Sequence, residues 1–187
     1  MRTVEDAQRS LQRYLAEAFP DWEVRPWADE GSFELPAIFV RLNGSTSITG
    51  GAWLHTVEQP MRVYAYPVPE DNVSASNLVG LRLQETLHDL FAQGGWQSGG
   101  SLAAPLRLPL WDWDGMALDD SSDPPRGDRD YMRIALPLTL NQQNDPQDQR
   151  LVIVTADLRI SWGRSFRSTT DETLVQSVRL NQTATLA

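Results

Sequence analysis

Val57-Glu58-Gln59-Pro60-Met61-Arg62-Val63-Tyr64-Ala65-Tyr66 is the run that sets the fold class. Met61, Val63 and Ala65 share one side of an extended chain while Arg62, Tyr64 and Tyr66 share the other, the period of two of a strand with one buried face. Pro60 has no N–H to give to a ladder, so the run is expected at a sheet edge or with a bulge near its start. Such a strand needs partners beside it and a second layer over its apolar side.

Both are legible on either side of it. Ile38, Val40 and Leu42 alternate with Phe39 and Arg41, and Trp22 and Val24 alternate with Glu23 and Arg25 over a shorter span. Asn43-Gly44 marks the turn that follows the first of these. Met132, Ile134, Leu136, Leu138 and Leu140 alternate with Tyr131, Arg133, Ala135 and Thr139, the most regular strand pattern of the chain. The second layer comes from two helices. Thr3 is placed to cap the first, with Asp6 in its first turn, and Val4, Ala7, Leu11, Tyr14, Leu15, Ala18 and Phe19 make one stripe before Pro20 and Asp21 end it. The other follows Ser74 or Ser76, buries Val79, Leu83, Leu87, Leu90 and Phe91, and stops at Gly94-Gly95. Leu81 points the opposite way, among Gln84, Glu85 and His88. The fold class is therefore α+β.

The connecting segments differ in character. Residues 43–51 are small, polar and Gly-rich and predict a mobile loop. Gln97 to Asp130 is long and irregular, rich in Gly, Pro and Asp, and contains Trp111-Asp112-Trp113-Asp114-Gly115. Asn141 to Gln149 has the composition of a linker. Beyond it Val152, Val154, Ala156, Leu158 and Ile160 alternate, a polar connection runs from Gly163 to Glu172, and Leu174 to Asn181 gives a weaker strand. The expected organisation is an α+β domain over 1–140 with a long loop at 97–130, a linker over 141–149 and a C-terminal β-hairpin extension over 150–187. A two-stranded hairpin is marginal alone in water. Its apolar face, Val152, Val154, Leu158 and Ile160, is expected to dock on a neighbouring subunit, and Leu81, Trp111 and Trp113 are the other candidate interface residues.

Composition narrows the chemistry. The chain has 187 residues, no Cys and only two His, which removes thiol catalysis and thiolate metal sites and leaves little for imidazole-rich zinc chemistry. A net charge of −9 with a pI near 4.6 argues against a groove that grips nucleic acid. No Walker A, G-x-S-x-G or G-x-G-x-x-G pattern occurs. Asp112 and Asp114 lie at a spacing that paired-carboxylate hydrolysis can use, and Trp111 and Trp113 beside them suit sugar stacking, but a D-x-D-x-D-G calcium loop with a distal Glu is missing. The expectation is no catalytic, cofactor or metal site. Met1 to Ser10 has neither the basic start nor the apolar core of a signal peptide, and no apolar run approaches membrane-spanning length, so a soluble protein is expected.

The order helix, two strands with a Gly-rich loop, long strand, helix and final strand rests on Leu35 to Val40, Gln59 to Ala65, Leu78 to Phe91 and Tyr131 to Leu140. Over roughly Thr3 to Leu140 it resembles the tail terminator proteins of long-tailed bacteriophages, the lambda-like type. The resemblance implies a small mixed or antiparallel sheet with two helices on one face. It further implies a non-enzymatic subunit of a homo-oligomeric, six-membered ring that caps the tail tube, ends its polymerisation and joins tail to head. The implied partners are the tail tube protein and a head–tail connector protein, with DNA passing through the ring without specific binding. The implied location is the virion tail or neck after assembly in the host cytoplasm. The long 97–130 segment and the C-terminal extension depart from the compact form of that family. They leave open a neighbouring neck connector of similar fold, and a carbohydrate- or protein-binding module built on the Trp111–Asp114 loop stands as a further alternative. Net acidity fits a conduit, because acidic groups repel a duplex across a Debye length of about 8–10 Å.

Overall fold

The computed structural model describes residues 3–27, 32–50, 54–92, 96–97, 101–102, 106–111, 113 and 131–165. Among them are two helices, α1 (Val4–Ala18) and α2 (Val73–Ala92), and nine strands: β1 (Glu23–Pro26), β2 (Ala37–Leu42), β3 (Ser47–Gly50), β4 (Leu54–Tyr66), β5 (Trp96–Gln97), β6 (Ser101–Leu102), β7 (Leu106–Pro109), β8 (Tyr131–Asn144) and β9 (Val152–Ser165). Strands β5 and β6 form a separate two-stranded ladder. The main sheet runs β1-β2-β4-β9-β8-β7, with β3 also paired to β4; only β1–β2 is parallel. The protein is α+β, as its periodicities predict.

Each helix starts where a side chain can take up orphan N–H groups. Thr3 Oγ1 accepts from Asp6 N at 3.1 Å while Asp6 Oδ2 accepts from Thr3 N at 2.6 Å, a reciprocal capping box. Helix α2 begins ahead of the expected serines: Asn72 Oδ1 accepts from Ala75 N at 2.9 Å and caps it. Ser76 is instead buried, and its Oγ accepts from Glu70 N at 2.9 Å, tying down the incoming chain.

Both helices lie on one face of the sheet. Leu11 and Leu15 of α1, and Leu83, Leu87 and Phe91 of α2, join a single core with Ile38 and Val40 of β2, Met61 and Val63 of β4, Ile134 of β8 and Val154, Ala156, Leu158 and Ile160 of β9. Burying a leucine or phenylalanine fully is worth about 1.5–3 kcal/mol, so this row supplies most of what holds the layers together. Gly80 sets the spacing of α2: a Cβ there would stand 2.6 Å from Val152 Cγ1 and 2.7 Å from Gln142 Cδ. Helix α1 touches β1 and β2 at one end of the sheet and β7 at the other, so the sheet curls round to bring both ends to the same helix. The Tyr14 hydroxyl donates to Leu90 O at 3.2 Å and links the two helices.

The long irregular loop expected at 97–130 is interrupted by β7 (Leu106–Pro109), which pairs with β8 at the end of the main sheet because Leu106 and Leu108 face the core. Three further expectations give way here. The strand assigned to an appended hairpin, Val152 to Ile160, is β9, hydrogen-bonded to β4 from Leu54↔Ser165 to Ala65↔Val154 and to β8 on its other side. Its apolar face covers no neighbour; it is part of the chain's own core. The second predicted hairpin strand, Leu174 to Asn181, lies outside the described residues. The segment 141–149 is likewise not a free linker. Asn141 to Asn144 complete β8, and 145–151 make the turn into β9, closed by Asp145 N to Leu151 O at 2.8 Å and by Asp145 Oδ1 accepting from Gln147 N at 2.7 Å. Its polar composition misleads because those amides are used: Asn144 Nδ2 donates to Asn77 Oδ1 at 2.9 Å, fastening the strand to α2.

The third is the predicted mobile loop at 43–51. Ser47–Gly50 is β3, paired with Glu58 to His55. Backbone N–H and C=O groups make a ladder without help from side-chain mass, which is why four exposed residues pair here. Pro60 then falls inside the sheet instead of at its edge. Its carbonyl accepts from Asn43 N at 2.9 Å, so its missing N–H faces the junction where β2 ends and β3 begins and no ladder bond is lost. Gly44, at φ 81°, makes that turn in the left-handed region.

Candidate interaction surface

Helix α1 carries Asp6 and Ser10 one turn apart on its flank, both buried. Asp6 Oδ1 accepts from Trp113 N at 3.1 Å, and Ser10 Oγ accepts from Trp111 N at 3.0 Å and from Trp113 Nε1 at 3.1 Å. Arg13 lies over the Trp111 ring at 4.6 Å. Trp111 and Trp113 are thereby bolted to the first helix. Trp113 is only 2% exposed, so its ring is unavailable for stacking a sugar. Asp112 and Asp114 lie outside the described residues.

The other expected interface residues divide sharply. Val152, Val154, Leu158 and Ile160 are buried under the helices and are corrected from interface to core, and Trp113 with them. Trp111 is half-buried beneath Arg13. Leu81 remains on the surface at 50% exposure, one turn from Leu78 at 54%. His88 is exposed on the same helix with Nδ1 3.3 Å from Asp89 Oδ1.

What sequence reading missed is the helix-free face of the sheet. Phe39, Tyr64 and Tyr66 point to that side by strand register, and Trp27 and Phe33 pack against them. The Trp27 ring lies 4.3 Å from Tyr64, and Phe33 lies 4.8 Å from Phe39 and 5.3 Å from Tyr66. Trp27 and Phe33 keep more than a third of their surface open. The signal was present in the tyrosines and Phe39 at the solvent-side parity of two strands, where polar residues are the rule.

Beside this aromatic patch the same face is cationic. Strand register puts Arg25, Arg41, Arg62, Arg107, Arg133 and Arg159 on it, against Glu23, Glu58 and Asp157. Arg62 binds Asp157 through two bonds of 2.6 and 2.9 Å, which hold its guanidinium charged far above any accessible pH. Each partner is roughly a third exposed, so the pair is worth under about 1 kcal/mol and orients more than it stabilises. Around it Asn43, Pro60, Thr139 and Arg159 line a shallow depression of about 360 Å³, next to the bulge that β8 makes between Ala135 and Thr139. Burial pushes the Tyr66 phenol above its ordinary value, with Tyr64 and Asp145 adding to the effect.

No group of three or more His, Cys, Asp or Glu placed to hold a metal ion occurs among the described residues, and no helix is long and apolar enough to cross a membrane. Comparison with protein-family models and with curated proteins returned no match.

Proposed function

We propose that this protein is a structural ring subunit of the tail or neck of a long-tailed bacteriophage, one that caps the tail tube, ends its growth and joins it to the head. The observation that carries the proposal is architectural. Helix α1, the short strand β1, strands β2 to β4 with their Gly-rich connection, helix α2 and, after the short strands β5 to β7, strand β8 come in the expected order, and both helices cover the same face of one sheet. The departures have a place in this reading: β9 enters between β4 and β8, so the unit that folds together reaches past Leu140 to Ser165.

The surface chemistry fits an assembly protein better than a binding module built on Trp111 and Trp113. Those tryptophans are spent on holding a segment to α1, whereas Leu78, Leu81, Trp27 and Phe33 stand open on two separate faces. A neck connector of the same build remains the second reading within this class. Growing tubes of the cognate tube protein separate the readings: added subunit halts elongation and sits at one tube end if it is the terminator, while uninterrupted elongation contradicts that role.

A further inference from the structure

Two exposed faces of this molecule are complementary to each other. The helix-free face of the sheet has more cations than anions among its described residues, and next to them the open rings of Trp27 and Phe33. The outer side of α2 has the opposite balance. Glu85 and Asp89 are exposed there with Leu78 and Leu81, against Arg82 among the described residues of the helix; Glu70 and Asp71 lead into it, with Arg150 near Asp71. In a chain whose net charge is −9, a cationic sheet face is a local concentration of positive charge that the rest of the molecule opposes.

We infer that the occupant of the sheet face is the outward side of α2 from a second copy of this chain, with Glu85 and Asp89 meeting Arg133 and Arg159, and Leu78 and Leu81 meeting the Trp27 and Phe33 rings. This rests on the ring reading and adds to it which surfaces join. The two patches lie on opposite sides of the two-layer domain and neither is self-complementary, so the contact is heterologous, head to tail. A contact of that kind propagates, and closes into a ring when its rotation allows. Pairing of opposite fields steers encounter and fixes register, and the apolar contact beside it buries surface that is otherwise open to water.

Charge reversal in the full-length chain tests it. Arg133→Glu with Arg159→Glu, and separately Glu85→Arg with Asp89→Arg, change exposed side chains, and a thermal melt checks that each variant folds. In sedimentation and native mass spectra at low ionic strength, each double reversal is expected to weaken self-association at least tenfold, and the chain carrying all four is expected to recover it. Wild-type association should also weaken as salt is added. Rings that form equally well in every variant overturn this inference and leave the ring reading standing. A wild-type chain that forms no closed species, free at millimolar concentration or on tube ends, overturns both. If the arginine reversals abolish retention of single-stranded DNA and leave association unchanged, the sheet face serves nucleic acid and the inference is wrong.

Discussion

Asp6 carries two roles at once: it completes the capping box of α1 and, buried, it accepts the backbone N–H of Trp113. Asp6→Ala leaves Thr3 as the N-cap but removes the reciprocal half of the box, and it leaves the Trp113 N–H buried and unpaired, a loss of about 1–3 kcal/mol. Denaturant unfolding should therefore show a lower midpoint with an unchanged slope; a midpoint within error of the parent would show that the segment is not held this way. The tyrosines give a pH signature. Burial raises the Tyr14 and Tyr66 phenols above their ordinary value of 10.0. Below that value folded and unfolded chains are equally protonated and the phenols contribute nothing pH-dependent. As pH climbs through the window above it, the unfolded chain gives up protons that the folded chain keeps, and stability falls. Urea midpoints measured from pH 9 to 11 should drop, and Tyr14→Phe should make the drop shallower. An identical slope in that variant would remove Tyr14 from the account.

At the level of elements, β9 decides whether the domain is whole. It is hydrogen-bonded on both sides along most of its length and places Val152, Val154, Ala156, Leu158, Ile160 and Trp162 in the core. Truncation after Gln149 should abolish the cooperative melt, because β4 and β8 lose the strand between them and the helices lose their floor. A soluble, cooperatively melting fragment would contradict the topology. How far the sequence revealed these elements follows from the physics of each signal. Periodicity found α1, β2, β4, α2 and β8, where one face is buried and the other wet. It found β9 as a strand as well, but not its place, since alternation says which side is buried and nothing about which strands lie alongside. The amide-rich end of β8 was read as a linker because composition does not show that Asn144 is bonded to Asn77. β3 escaped notice because an exposed edge pairs through backbone alone. The aromatic patch was only half visible: Phe39, Tyr64 and Tyr66 sit at readable parity, whereas Trp27 and Phe33 reach them from a connection whose path no local pattern records.

For the whole molecule, the curled sheet, the two helices on one face and the oppositely charged outer faces make a unit with two different surfaces to offer, as a subunit of a closed ring requires. Of the expected interface residues Leu81 stays exposed, beside Leu78 on α2, Trp27 and Phe33 are open on the other side of the sheet, and the apolar stripe of β9 is needed in the core. The measurement that bears most directly on the account is electron microscopy of the full-length protein, free at high concentration and bound to the ends of cognate tail tubes. The account predicts class averages of a closed ring, six-fold, coaxial with the tube; a single copy lying off the tube axis, or a protein that stays monomeric in both preparations, would contradict it.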